Sequence, residues 1–383
     1  MDFEFDESQL GLQTAVADVL AKECPATYLR SVIDEGHDPI DLWKRLGSLE
    51  WPGLAISADE GGSGASALEL TIVLEQLGYV GDPTPFLATT SQFAPVVAAA
   101  GSAEQRQRFL GPIAAGAAAG TLALSGTDGR WDVTRPPVVA RAHDGGWQLS
   151  GTAGYVLDAD RVDEIVVLAS TEAGSQAFVV PAEVLTISRR PALDGSLHLT
   201  NVSFDGAVVD DDRRLTGDGV VAFATGLELA TTGLAAVMVG ACQRALDLVV
   251  EYVRSREQFG VQIGSFPAVK HKAVDMYVAL ERARALAYFA ALTIAEDDSR
   301  RTIAASMAKA AAGDAQRLVF QDAVQLFGGL GFTWENDLQL YLRRAKAGEL
   351  LLGSAAQHRL LVGHALLDGP NRPTEVLSGA TGL

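Results

Sequence analysis

The C-terminal part of the chain, residues 216–383, is dominated by a helical spacing of apolar residues. From Leu227 to Val253 these residues recur at steps of three and four, which is the spacing of one buried helix face. This first helix is expected to end at Gly260, because glycine readily takes the left-handed conformation of a helix end. Three further helices are predicted at 267–296, 300–327 and 336–367, the last with a break near Gly348 or Gly353. Long helices with short connections predict a four-helix bundle.

The spacing is different in the two preceding parts of the chain. Residues 1–120 again show helical spacing, interrupted by turn-forming segments at 59–64 and 82–85. Residues 121–215 instead carry several short segments with strand character, and the His-Asp-Gly-Gly sequence at 143–146 is typical of a hairpin turn. The sequence therefore predicts an α+β chain of three domains: an N-terminal helical domain (1–120), a β-barrel or sandwich (121–215) and a C-terminal four-helix bundle (216–383).

Composition excludes several classes of partner. The chain has 383 residues and a formal net charge of −18, which argues against nucleic acid or an anionic membrane surface as the main partner. Cys24 and Cys242 are the only cysteines, so neither a disulfide framework nor a cysteine metal site is expected. The acidic N-terminus has no leader pattern, and we found no uninterrupted apolar run of about 18 residues. We expect a cytoplasmic protein without a membrane segment.

Two motifs contain residues suited to binding a nucleotide. The first is Arg-Glu-Gln-Phe-Gly at 256–260, where the Arg256 guanidinium suits a diphosphate and Phe259 offers a flat aromatic face. The second is Gln-Leu-Phe-Gly-Gly-Leu-Gly-Phe at 325–332, where glycines allow the backbone to come close to a ligand. Each motif alone is explained as well by a solvated arginine beside a helix cap, or by a tight turn between helices.

Together, in this order and at this spacing, the two motifs resemble the acyl-CoA dehydrogenase family, and the three-domain order matches that family too. The resemblance implies FAD as the cofactor. It also implies that Arg256, Phe259, Gln325 and Gly329 reach across a subunit interface to the adenosine and diphosphate half of an FAD held mainly by the neighbouring subunit. We refer to these four residues as the cross-interface set. An oligomer follows, either a heterotetramer or a homotetramer.

The sequence departs from the family at the catalytic base. The segment that matches the family's Y-E-G-T places Leu352 at the glutamate position, and a leucine cannot remove a proton. Glu349, three residues earlier, is expected to be a structural or surface residue. Some members carry the glutamate on the first bundle helix, where the matching position is Ala230 and Glu228 lies two residues away. We prefer to place Glu228 at an exposed helix start, with a catalytic role as the alternative.

Both segments that hold the flavin ring in the family are also altered. The family's T-E-P segment corresponds to residues 123–129, and its W-I-T segment to residues 151–158, with Asp158 at the end. A carboxylate at Asp158 would repel a reduced, anionic flavin. Three departures together indicate that this chain's own site is degenerate.

This combination resembles the companion subunit of the heteromeric α2β2 acyl-CoA dehydrogenases of actinobacteria. The resemblance implies α,β-dehydrogenation of an acyl-CoA thioester, with a steroid side-chain thioester as one candidate, and electron transfer to an electron-transfer flavoprotein. A related catalytic subunit would supply the base and flavin pocket. Two alternatives remain open: a self-sufficient homotetrameric enzyme with Glu228 as base, and a non-catalytic structural protein on the same scaffold.

Overall fold

A computed structural model describes residues 5–368, and this part of the chain forms two compact units. The first unit contains the chain up to His37, Thr71–Asp82 and Thr231–Val362. The second contains Asp38–Leu70, Pro83–Ala230 and, at the end of the described chain, residues 363–368. The three-domain boundaries predicted from the sequence stay a prediction, although the change from helices to strands falls at Gly120 and the change back at Gly219.

The first unit is helical apart from one small hairpin. The helices predicted after residue 260 are present, and the last is split around Gly353, as expected. The elements of this unit are α1 (Glu7–Glu23), α2 (Ala26–Asp34), most of α4 (Ala67–Val80), most of α7 (Gly219–Ser255), the hairpin strands β9 (Glu257–Gln258) and β10 (Val261–Gln262), α8 (Pro267–Ala295), α9 (Arg301–Phe327), α10 (Leu338–Leu350) and the first part of α11 (Ala355–Asp368), up to Val362.

The core of the first unit is built from the apolar faces that the sequence predicted. Val249 and Val253 of α7 pack with Met276 and Leu280 of α8 and with Val319 of α9, and all are buried. Helices α4 and α7 cross closely at Gly78 and Gly240. A Cβ at Gly240 would lie 2.6 Å from the Tyr79 backbone nitrogen, so the crossing needs a residue without a side chain.

The second unit contains the predicted β domain as one eight-stranded mixed sheet with the order β1-β4-β2-β3-β7-β6, where β5 pairs with β4 and β8 with β3. The predicted hairpin is present, with Asp144 (φ 43°) and Gly145 (φ 84°) at its turn. The elements of this unit are α3 (Ile40–Ser48), α5 (Ala94–Ala100), α6 (Ala103–Ala114), β1 (Gly120–Ala123), β2 (Val138–His143), β3 (Gly146–Leu157), β4 (Glu164–Thr171), β5 (Gly174–Pro181), β6 (Thr186–Arg189), β7 (Leu199–Ser203) and β8 (Ala207–Asp210).

Helix α7 is long and apolar enough to cross a membrane on length and composition alone, although its sequence is not an uninterrupted apolar run. Its most apolar window is 67% buried inside the protein, as in the core helix of a soluble protein.

Candidate functional site

The segment after α7 is a hairpin and not a helix end. Helix α7 stops at Ser255, and Glu257–Gln258 pairs antiparallel with Val261–Gln262. Phe259 (φ 54°) and Gly260 (φ 79°) form the turn, and both take the positive φ that a two-residue type I′ turn requires. The prediction that Gly260 ends the helix is therefore wrong. Its left-handed conformation is used in the hairpin, because the following residues pair back on the preceding ones.

The hairpin presents Arg256 and Phe259 to solvent. The Arg256 backbone nitrogen donates to Tyr252 O, and its carbonyl accepts from the Ile263 nitrogen, both at 2.8 Å. Its side chain is exposed and makes no ion pair within residues 5–368. Phe259, at the tip, is 93% exposed. Its ring meets the Phe266 ring edge to face, with the centroids 6.2 Å apart. A fixed backbone that presents an exposed guanidinium and an exposed aromatic ring suits a ligand that comes from outside this unit.

The second motif lies where α9 ends. Gln325 is in the last turn of α9, and Gly328 and Gly329 open the short helix Gly328–Phe332; all three are exposed. Gly328 has a φ of 63°, so the turn itself explains this glycine. Gly329 has no positive φ, and a Cβ there would meet no atom of the described chain within 4 Å. Neither conformation nor packing inside the unit requires a glycine at this position.

The structure brings the two motifs to the same end of the first unit. The rings of Tyr252, one turn before Arg256, and Phe327, two residues after Gln325, lie 4.6 Å apart. A groove of about 560 Å³ continues beside Gln325 and Gly328, and it is also lined by Arg317, Gln321 and Phe332. Phe332 is the last residue of the second motif, whereas sequence reasoning missed Arg317 and Gln321. The spacing of Arg317, Gln321 and Gln325 at steps of four on an exposed helix face could have indicated them.

Leu352 lies in the turn between α10 and α11, buried at 4% exposure. It has a φ of 56° and the following Gly353 a φ of 95°, so two consecutive residues are left-handed. Ser354 starts α11 with a reciprocal cap: its nitrogen donates to Gln357 Oε1 (2.7 Å), and the Gln357 nitrogen donates to Ser354 Oγ (3.3 Å). An apolar side chain is thus held at the position that the sequence resemblance matches to the family's base.

Two buried basic side chains hold this turn. Lys309 Nζ donates to Gly353 O (2.6 Å) and to Glu349 O (3.1 Å). Burial lowers the pKa of Lys309 to about 7. His358 Nε2 donates to Leu352 O (2.8 Å), and burial, together with the charge of Lys309, lowers the pKa of His358 to about 4.

The two candidate acids lie in different surroundings. The Glu349 carboxylate accepts from Lys346 Nζ (2.9 Å) and from the Ala355 nitrogen (3.3 Å), which makes Glu349 a structural residue. Glu228 is half-buried in the interior of α7. The expectation that it lies at an exposed helix start is wrong, because α7 begins at Gly219 and is capped by Asp218, whose carboxylate accepts from the backbone nitrogens of residues 220 and 221.

The altered flavin segments lie next to each other in the second unit. The Gly154 nitrogen donates to Ser125 O at 2.8 Å, and a Cβ at Gly154 would lie 2.9 Å from Thr127 Cα. Asp158 is 2% exposed and pairs with Arg161 at 2.5 Å. Its carboxylate is therefore engaged in an ion pair with an arginine of the same chain.

Comparison with known proteins agrees with this architecture. Two family models match, acyl-CoA dehydrogenase N-terminal domain over residues 6–117 and acyl-CoA dehydrogenase C-terminal domain over residues 217–367. The chain is 28% identical over 379 residues to the short-chain specific acyl-CoA dehydrogenase of Bos taurus, covering 95% of this chain and 91% of that protein.

Solved structures similar to this chain include heteromeric members. A chain of the ChsE4-ChsE5 complex from Mycobacterium tuberculosis superimposes with a TM-score of 0.87 and 28% identity, covering 97% of this chain and 100% of that one. A chain of the Tcur3481-Tcur3483 steroid ACAD superimposes with a TM-score of 0.86 and 29% identity, covering 96% and 99%.

Proposed function

This chain belongs to the acyl-CoA dehydrogenase family, and from that premise we propose that it is the companion subunit of a heteromeric enzyme. The family consists of FAD-dependent oxidoreductases. The observation that carries the proposal is a contrast within the first unit. The cross-interface set is exposed and gathered at one end, whereas the position of the base is held by a buried leucine.

The exposed residues fit the half of FAD that we assign to them. A guanidinium can make two parallel hydrogen bonds to a diphosphate, and an amide such as that of Gln325 can both donate to and accept from an adenosine. Gly329 leaves open space where a side chain would block a close approach. Arg256 would bind the diphosphate, and Phe259 would cover one face of the nucleotide.

In the proposed complex this chain binds and orients the adenosine and diphosphate half of FAD, and the partner performs the chemistry. The partner would hold the flavin ring of FAD, which would supply the acceptor for a hydride from the β carbon of an acyl-CoA, and a carboxylate of the partner would remove the α proton. The product is a trans-2-enoyl-CoA, and an electron-transfer flavoprotein takes the electrons. A steroid side-chain thioester is the substrate class we propose, because a structurally similar chain belongs to a steroid enzyme. We place the complex in the cytoplasm.

A self-sufficient homotetramer with Glu228 as base is the second candidate. It is favoured by one observation, that Glu228 lies half-buried in the interior of a helix and not at its exposed start. Glu228 would then need a flavin ring bound by the same chain.

Flavin content separates the two candidates. We expect the chain purified alone to be colourless, and the complex co-purified with its catalytic partner to be yellow, with flavin absorbance near 450 nm. A yellow preparation of the isolated chain, with flavin retained through gel filtration, would contradict the companion role.

A further inference from the structure

The flavin segments of this chain contain an aromatic residue, Tyr155, whose ring already contacts another side chain of the same chain. Tyr155 stands in β3 where a β-bulge interrupts the pairing with β7, and its φ is 55°. The guanidinium carbon of Arg190 lies 4.4 Å from the centroid of its ring, the distance of a cation–π contact. Arg190 Nη2 also donates to the Tyr155 hydroxyl at 3.3 Å.

Arg190 is itself held in place, so this contact is part of the fold. Its Nη1 donates to Asn201 Oδ1 at 2.9 Å, and its backbone nitrogen donates to Leu199 O at 2.7 Å. The Tyr155 ring also lies close to Gly129, because a Cβ at Gly129 would lie 3.3 Å from Tyr155 Cε2. The half-buried ring of Tyr155 is therefore already in contact with groups of its own chain.

Several polar groups of the two segments also form hydrogen bonds within the chain. The Ser125 hydroxyl donates to Gly126 O at 3.0 Å. The Asp158 carboxylate accepts from Arg161 Nε at 2.9 Å, and its backbone nitrogen donates to His198 O at 2.7 Å. The close contact of Gly154 with Thr127 joins the two segments directly. Residues that would hold a flavin ring are thus bonded to each other.

We infer that this chain's own flavin position is filled by its own side chains, with Arg190 stacked on Tyr155, so that the chain binds no isoalloxazine ring. One consequence of this inference rests on the proposed function. If the chain is a companion subunit, the assembly contains one FAD for each pair of unlike chains. The inference also decides between the two candidates, because Glu228 cannot serve as a base without a flavin in the same chain.

The direct test uses lumiflavin, an isoalloxazine without the diphosphate and adenosine, so the cross-interface set plays no part. Titration of lumiflavin with the isolated chain is expected to leave its fluorescence unchanged. Saturable quenching would overturn the inference. In the co-purified complex, the ratio of flavin absorbance to protein mass is expected to give one FAD for two chains. A ratio of two FAD for two chains would overturn the inference.

A variant series identifies the role of Arg190. Arg190→Ala is expected to lower the melting temperature by roughly 2–4 °C and to leave the flavin content of the complex unchanged. Arg190→Lys, which keeps a cation, should recover part of the loss and remains measurable if the alanine variant does not fold. Arg189→Ala is the matched control, since the neighbouring Arg189 is 61% exposed and pairs with Asp160.

The outcomes separate this inference from the proposed function. Loss of flavin in either Arg190 variant, or an unchanged melting temperature in Arg190→Ala, would overturn the inference. An unchanged flavin content in Arg256→Ala would instead contradict the proposed function. The lumiflavin titration would still test the inference in that case.

Discussion

At Gly329 the chain itself gives no reason for a glycine. Most glycines of the described chain are explained by a positive φ or by an atom that a side chain would meet, as at Gly260 and Gly240. Gly329 has neither, and it lies beside the exposed Gln325. At the scale of single residues, the open space at Gly329 is compatible with the proposal that a ligand approaches the cross-interface set from another chain.

Arg256 provides the first prediction. Arg256→Ala is expected to lower the FAD affinity of the complex by roughly ten- to a hundredfold, because a charge-assisted hydrogen bond to a phosphate contributes about 1.5–3 kcal/mol. Arg256→Lys should recover only part, since an ammonium cannot make the paired contact. The measurement is the ratio of flavin to protein absorbance after gel filtration.

Arg254→Ala is the matched control for Arg256, because Arg254 is exposed in the last turn of the same helix. Arg254→Ala should leave the flavin content unchanged and should change the free energy of unfolding by no more than about 0.5 kcal/mol. Equal flavin loss in both variants would indicate a general charge effect and remove the specific role of Arg256.

Leu352 provides the second prediction. Leu352→Glu alone is expected to produce no dehydrogenase activity in the isolated chain, because a base without a flavin at the correct distance has no hydride acceptor. The assay is reduction of a dye acceptor with an acyl-CoA, and Leu352→Gln is the uncharged control. Turnover in Leu352→Glu but not in Leu352→Gln would show that the chain can hold a flavin.

At the scale of elements, the crossing of α4 and α7 is the most constrained packing in the first unit. A Cβ at Gly240 would meet backbone atoms of Glu75 and Tyr79, which cannot rotate away. Gly240→Ala is therefore expected to lower the free energy of unfolding by about 1–3 kcal/mol or more. Gly11→Ala, in open space on α1, is the control and should be neutral or slightly stabilising. Equal melting temperatures for the two variants would contradict the close crossing.

The turn at 351–354 is held by two buried basic groups whose protonation must affect stability. Lys309 has a pKa of about 7 in the folded chain, against an ordinary value of 10.5. The unfolded chain binds more protons between these values, so stability rises as the pH increases from about 7 to 10.5. Lys309→Met is expected to remove this rise, which is at most about 1.4 kcal/mol per pH unit.

His358 acts in the same direction at lower pH. Its pKa is about 4 in the folded chain and ordinarily 6.5, so its contribution is present above pH 6.5 and is lost as the pH falls towards 4. His358→Gln is expected to flatten the stability profile in that window only. Melting temperatures measured across pH 4–10 for the wild type and both variants check the assignment, and parallel profiles would refute it.

At the scale of the whole molecule, the described chain has the architecture of its family, and it has no acid at either of the two positions that the sequence resemblance matches to the family's base, Leu352 and Ala230. We expect the isolated chain to show no acyl-CoA dehydrogenase activity with a dye acceptor, even with added FAD. Activity restored by the partner subunit is the positive control. If the isolated chain turns over, Glu228→Gln becomes the decisive variant, and loss of activity in it would identify the base.

The sequence alone was sufficient to predict the architecture and to recognise the family. Helix spacing in 216–383 and hairpin chemistry at 143–146 act locally, through burial of one helix face and through backbone conformations that glycine allows, so they can be recognised without knowing what lies opposite. The two motifs were recognisable for a similar reason, because their residue types and spacing are specific. Leucine at position 352 excludes a proton-removing side chain whatever its surroundings are.

Only the tertiary structure decided how ambiguous residues are used. Gly260 suits a helix end and a hairpin turn equally well, and the pairing of Val261 with Gln258 selects the turn. An isolated acid such as Glu228 can begin a helix or lie within one, and the start of α7 at Gly219 decides this. The contact between Tyr155 and Arg190 joins residues that are distant in the chain, and no local spacing encodes it. Long-range contacts of this kind depend on the packing of strands, which is why the filling of the flavin position could be found only in the folded molecule.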